Sequence, residues 1–258
     1  MITPQALYAA IDGTWPAAAK TLVGPWTIRD GRGGGKRVSA ATAATATAPV
    51  TDADIALAEA GMRDVRQQPL FMIRDGEDEL DAALDSRGYG IVDPTNGYAI
   101  RSSALTDRPI PRVTAFVIWE PLAIMEEIWS AGGIGPERLA VMARAQIKTG
   151  ILARWNEKPA GTAFVAIHDG IAMVHAVEVL PHQRRQGVAQ WIMRRAAFWA
   201  QDNGADTLAV LTTASNGPAN TLYQRLGFAA VGGYHYRISP TWARQGNEPC
   251  HDRFSHSA

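Results

Sequence analysis

From residue 151 onward the chain alternates short apolar runs with longer stretches at helical spacing. Runs at 151–155, 161–168 and 173–179 read as strands. Asn156-Glu157-Lys158-Pro159 and Asp169-Gly170 separate them as turns. Residues 188–202 carry Trp191 and Trp199 eight apart, with Val188, Ile192 and Ala196, an apolar stripe that predicts a helix stopped by Gly204. That stripe is read as helix core, which leaves Arg194 and Arg195 to solvent. A strand at 207–212, a helix at 218–226 and a strand at 232–238 follow. Upstream, 122–131 and 136–149 read as helices and 97–103 and 113–119 as strands. In the first half, 1–22 reads as one short helix and 26–29 as a strand. A glycine turn at 31–35 leads to a pairing strand at 36–41, and 40–49 is irregular. A helix capped by Asp52 or Asp54 runs to about Gln67. A strand at 70–74 and a helix at 77–86, ended by Gly88, complete this half.

Composition narrows the function classes. Apolar residues make up 47% of 258, enough to bury a sizeable core. The 25 basic residues balance the 25 acidic ones, which argues against nucleic acid or an anionic membrane as the main partner. No apolar run approaches the ~20 residues of a membrane span. Met1-Ile2-Thr3-Pro4-Gln5 does not open a signal peptide. The lone Cys250 excludes an internal disulfide, and the six histidines show no His-x-x-x-His pairing, so no metal is expected. The expectation is a soluble, cytoplasmic, bacterial-type protein with Cys250 in a C-terminal tail, 241–258. Oligomeric state is not legible.

Two motifs invite a phosphate. Gly35-Lys36 fails as a P-loop, because Arg37 stands where Ser or Thr is required and Asp30 where the leading Gly is required. Arg184-Arg185-Gln186-Gly187-Val188-Ala189 is better placed, between a predicted strand and the start of a predicted helix. A helix's first turn offers free N–H groups and about half a positive charge, to which a pyrophosphate binds. Some 30 residues later come Asn216-Gly217-Pro218-Ala219-Asn220-Thr221-Leu222-Tyr223 and Leu226-Gly227-Phe228.

Together these blocks resemble the GNAT superfamily of acetyl-CoA-dependent N-acetyltransferases, clearly over 151–237. The resemblance implies an α/β (α+β) GNAT fold, a mixed central sheet flanked by helices. It also implies acetyl transfer from acetyl-CoA to a primary amine by direct attack in a ternary complex. Val177, Glu178 and Val179 then form the splayed strand that pairs with the pantetheine arm, and Pro181 ends that pairing. Arg184, Arg185, Gln186, Gly187, Val188 and Ala189 wrap the pyrophosphate, mainly through backbone N–H groups. The Val179 N–H stabilises the oxyanion. Tyr223 is the general acid. Asn216 either contacts the cofactor arm or caps its helix, and Ala219 belongs to the same block. Glu178 is the first candidate for general base and His235 a weaker one. His175, placed by strand alternation on the face opposite Glu178, reads as structural. The acceptor is a small-molecule amine or a peptide or protein amine. The rival reading is a non-catalytic CoA-binding or ligand-sensing module.

A weak internal repeat adds a second lobe. Strand 70–74, helix 77–86 and Leu84-Asp85-Ser86-Arg87-Gly88-Tyr89 run parallel to strand 207–212, helix 218–226 and Tyr223-Gln224-Arg225-Leu226-Gly227-Phe228. Leu84 falls where Tyr223 stands, helix 52–67 matches helix 188–202, and 43–51 carries no Arg-x-x-Gly-x-Ala. This resembles tandem GNAT proteins, with 1–108 a degenerate lobe and 109–240 the catalytic one.

Overall fold

A computed structural model describes residues 2–44 and 50–240. The predicted tail at 241–258 and the end of the Ala/Thr-rich stretch lie outside them. In chain order the elements are α1 (Pro4–Thr14), β1 (Ala19–Val23), β2 (Trp26–Asp30), β3 (Thr42–Ala43), α2 (Asp52–Asp64), β4 (Leu70–Arg74), α3 (Asp78–Ser86) and β5 (Gly90–Arg101). Then come β6 (Ala115–Ile118), α4 (Ala123–Ala131), α5 (Pro136–Arg144), β7 (Ile147–Trp155), β8 (Lys158–His168), β9 (Ile171–Val179), α6 (Val188–Asp202), β10 (Thr207–Thr213), α7 (Gly217–Arg225) and β11 (Ala229–Ile238). No described helix is long and apolar enough to cross a membrane.

The described residues fall into two compact units, each assembled from separate stretches of chain. The first holds residues 2–16 and Asn96–Val231. Its strands lie in the order β5-β10-β9-β8-β7-β6, with β6 to β9 antiparallel and β9 parallel to β10. A parallel neighbour needs a long crossover, which α6 supplies. Ile151, Val165, Val174, Ile192 and Val210 form its core.

The second unit holds residues 17–44, 50–95 and 232–240. A small sheet β1-β2-β3 packs with α2 around Trp26, Ile28, Ile55, Met62, Phe71 and Leu84. β4 pairs antiparallel with β11 from Tyr234↔Arg74 to Ile238↔Leu70. Arg237, 5% exposed, fastens this strand to α3. It donates to both carboxylate oxygens of Asp81, to Asp85 and to the Tyr89 carbonyl, and His235 shares Asp81 at 2.7 Å. Each unit thus finishes a strand–helix pair with a strand from the other half of the sequence. Residues 96–101 lie beside β10 in the first unit, and residues 234–238 lie beside β4 in the second.

Several expected elements differ. The first helix stops at Thr14 rather than 22, because Pro16 cannot continue it, and 19–23 is a strand. Residues 36–38 form a 3-10 turn instead of a strand, with the Gly31 N–H held by Gln67 and Lys36 paired to Asp93 at 3.0 Å. Thr51, not Asp52 or Asp54, caps α2, and Asp54 closes the capping box from the third helical position. Helix 136–149 ends at Arg144, where Ala145 turns extended and the following Ile147 and Thr149 join β7. Arg194 is buried at 6% exposure rather than solvated, since Asp107 and the Leu105 carbonyl receive its guanidinium.

Candidate active site

The pairing of β9 with β10 runs from Thr207↔Ile171 to Val210↔Val174 and stops. Both strands continue, to Val179 and Thr213, without each other. Just past the last pair β9 carries a bulge. Phe164 faces His175 and Thr162 faces Glu178, so one residue of β8 spans two of β9. Ala176 takes the left-handed conformation there, at φ 52°. A left-handed alanine costs roughly 1–2 kcal/mol. The Trp129 indole N–H offsets part of this by donating to the Ala176 carbonyl at 2.8 Å.

The bulge changes which side chains share a face. Phe164 and Thr162 are two apart, so their partners His175 and Glu178 lie on the same face, contrary to the simple alternation expected from sequence. Val177 and Val179 turn to the opposite side and pack on the cluster that contains Val188, Ala219 and Tyr223. Past the bulge the Leu180 N–H donates to the Ala160 carbonyl on β8. Alternation therefore aims the Val179 N–H at the other edge, where β10 has left the register.

Glu178 sits against the end of α4. A Cβ added at Gly132 would lie 2.5 Å from its carboxyl carbon. Burial pushes the Glu178 carboxyl up to about 7, against the pull of the Arg184 and Arg138 charges. A carboxylate at that value changes protonation near neutral pH.

The Arg184–Ala189 segment leads into α6. Arg184 folds back so that its Nε donates to the Val179 carbonyl at 3.2 Å. Arg185, Gln186 and Gly187 are exposed. Arg185 and Gly187 are left-handed, at φ 62° and 79°, and nothing lies within 4 Å of where a Gly187 side chain would start. Gly187 brings no capping side chain, and the first turn of α6 contains no acid. The first helical bond is Trp191 N–H to the Gly187 carbonyl. The N–H groups of Val188, Ala189 and Gln190 therefore lie ahead of the ladder.

At the start of α7, Asn216 acts as cap, its Oδ1 accepting from the Ala219 N–H at 3.1 Å. Asn220 was not singled out by sequence, yet it ties the region together. It donates to the carbonyls of Thr213 and Asn216 and accepts from Asn96 and from the Tyr98 hydroxyl at 2.8 Å. Tyr223 is buried, 5.7 Å from Phe228 and 6.1 Å from Tyr98 between ring centres, and burial raises its phenol to about 12. His175 bonds Thr14 at 2.9 Å and lies 5.1 Å from the Trp15 ring, a core arrangement. His235 belongs to the Asp81 network of the second unit.

Comparisons with known proteins agree with this geometry. Residues 118–228 match the profile of the Acetyltransferase (GNAT) family. The uncharacterized N-acetyltransferase YobR of Bacillus subtilis is 25% identical over 87% of this chain and 94% of its own. A GCN5-related N-acetyltransferase from Kribbella flavida shares the fold at a TM-score of 0.69 and 22% identity, covering 93% of this chain and 96% of that one. A tandem GNAT protein from the clavulanic acid biosynthesis pathway superposes at a TM-score of 0.57 and 12% identity, over 77% of this chain and 74% of its own. A strand that parts from its parallel neighbour, an uncapped helix start beyond it and a family profile over the same residues lead to one conclusion: the region 118–228 belongs to the GNAT family of N-acetyltransferases.

Proposed function

We propose that the protein transfers an acetyl group from acetyl-CoA to a primary amine, in a ternary complex and without a covalent enzyme intermediate. The observation that carries this is the open first turn of α6, set beyond a strand whose register with β10 ends at Val210↔Val174. The N–H groups of Val188 and Ala189, with the exposed turn Arg185-Gln186-Gly187, hold the diphosphate of coenzyme A. Arg184 shapes that turn through the Val179 carbonyl. Val177, Glu178 and Val179 present the edge along which the pantetheine arm lies, and the Val179 N–H faces the thioester oxygen as negative charge develops on it. When bound, acetyl-CoA supplies the activated acyl group.

Glu178 takes the proton of the attacking amine, its carboxyl near 7 being matched to that task. Tyr223 acts on the departing sulfur. Its phenol at about 12 remains protonated at neutral pH. Full transfer to a thiolate whose acid lies near ~8.5 is uphill. Its contribution is therefore a hydrogen bond that strengthens as the C–S bond breaks.

The same reading takes 109–240 as the catalytic lobe and 1–108 as a degenerate copy. Matching helix ends support it. Tyr89 N–H returns to the Leu84 carbonyl at 3.1 Å and Phe228 N–H to the Tyr223 carbonyl at 3.0 Å, around left-handed Gly88 and Gly227. Calorimetry with acetyl-CoA, followed by thiol release with a panel of small amines and peptides, tests the function. Absence of acetyl-CoA uptake at millimolar concentration overturns it.

A further inference from the structure

We propose that the C-terminal end of α4 is a positioning device for the reactive carboxylate: Gly132 seats Glu178 by having no side chain, and Trp129 holds the bulge that aims it. This rests on reading Glu178 as the base.

Gly132 is not needed for backbone shape. Its φ of −81° and ψ of 2° suit any residue, and the left-handed turn that ends the helix falls on Gly133, at φ 76°. Space is what requires glycine. A methyl group at position 132 would stand 2.5, 2.7 and 2.8 Å from Cδ, Oε2 and Cγ of Glu178. Those atoms end a side chain that is able to rotate, so the carboxyl would swing away, toward water.

Trp129 lies three positions earlier, on the same face of the helix. It is fully buried, as are its neighbours Met125 and Ile128 to within 3%, so its indole is fixed. Its N–H takes up the carbonyl of Ala176, the residue whose left-handed backbone makes the bulge. Without the bulge Glu178 would turn to the other face of the strand. One helix end thus sets both the side of the sheet on which the carboxylate emerges and the seat it occupies. The charges that reach Glu178 are Arg138 from α5 and Arg184 from the turn after β9, and β8 presents the uncharged Thr162 opposite.

The test measures kcat/KM against pH for wild type, Gly132→Ala, Glu178→Ala and the double variant, with melting temperature and acetyl-CoA affinity alongside. Gly132→Ala is expected to lower kcat about 10-fold and to move the acidic limb down by roughly one pH unit, because a carboxyl pushed into water loses the desolvation that raised it. Its acetyl-CoA affinity stays at the wild-type value. Glu178→Ala lacks the Cγ, Cδ and carboxylate oxygens that an added methyl would meet, so adding Gly132→Ala to it is expected to change its residual activity less than 2-fold. A wild-type limb in Gly132→Ala, or equal losses in both backgrounds, overturns the seat. Trp129→Phe, which removes the N–H together with part of the indole's volume, is expected to lower kcat with a similar limb shift, and an unchanged profile overturns the aiming role. Glu178→Gln separates the two readings. Full activity there ends the base assignment itself, whereas an inactive Glu178→Gln beside an unaltered Gly132→Ala ends only the present inference.

Discussion

Helices α2 and α6 begin with the same problem and solve it in opposite ways. Each has N–H groups in its first turn with no partner inside the helix. At α2 the chain supplies its own answer. Thr51 accepts from the Asp54 N–H, Asp54 accepts from the Thr51 N–H, and Asp52 adds a second carboxylate to that turn. The positive end of the helix is neutralised from within. At α6 there is only Gly187, no acid in the first turn and two arginines just before it. Under the proposed function, the stabilising cap is omitted where the cofactor's diphosphate binds. On that proposal, the mark of a binding helix end is what its first turn lacks, as much as the glycine it contains.

The largest expected effect comes from making α6 resemble α2. Ala189→Glu places a carboxylate in the first turn, where repulsion from a diphosphate is expected to weaken acetyl-CoA binding about 100-fold by calorimetry. Unaltered affinity would remove the turn from the site. Next, the two carboxylates that mark these regions carry opposite pH signs. Glu178 is raised in the folded protein, so its favourable protonated state contributes below the unfolded value and is lost as pH rises through 7. Glu178→Gln is therefore expected to be more stable than wild type by about 2 kcal/mol at pH 8, with no difference at pH 4. Asp54 is lowered by its hydrogen bonds to Thr51, so whatever stability it contributes is present above its unfolded value and fades as pH falls. Denaturant titrations at both pH values check the pair. Tyr223→Phe should lower kcat about 10-fold and leave acetyl-CoA affinity unchanged. The smallest effect is at the sealed end. Thr51→Ala should cost about 1 kcal/mol of stability without touching cofactor affinity or kcat.

What was legible in the sequence was what local chemistry decides. Helix 188–202 and strand 70–74 fall where their apolar spacing put them, and Gly187 and Gly88 punctuate as expected. What escaped depended on distant partners. The strand expected at 36–41 is a 3-10 turn because Gln67, far along the chain, occupies the glycine loop before it. Arg194 looked solvated because its partner Asp107 lies 87 residues away in sequence. The bulge at Ala176 has no glycine to announce it, and it moved His175 onto the face of Glu178. Gly132 and Trp129 are unremarkable in a helix until the strand they touch is known. Asn220 sits in plain view inside the family block, yet its role depends on Asn96 and Tyr98.

The crossed strands have a practical consequence for cutting the gene. A fragment ending near residue 108 would leave β4 without its partner 234–238, and a fragment beginning there would deprive β10 of residues 96–101. Each piece would expose a bare sheet edge, the kind of surface that recruits other chains into aggregates.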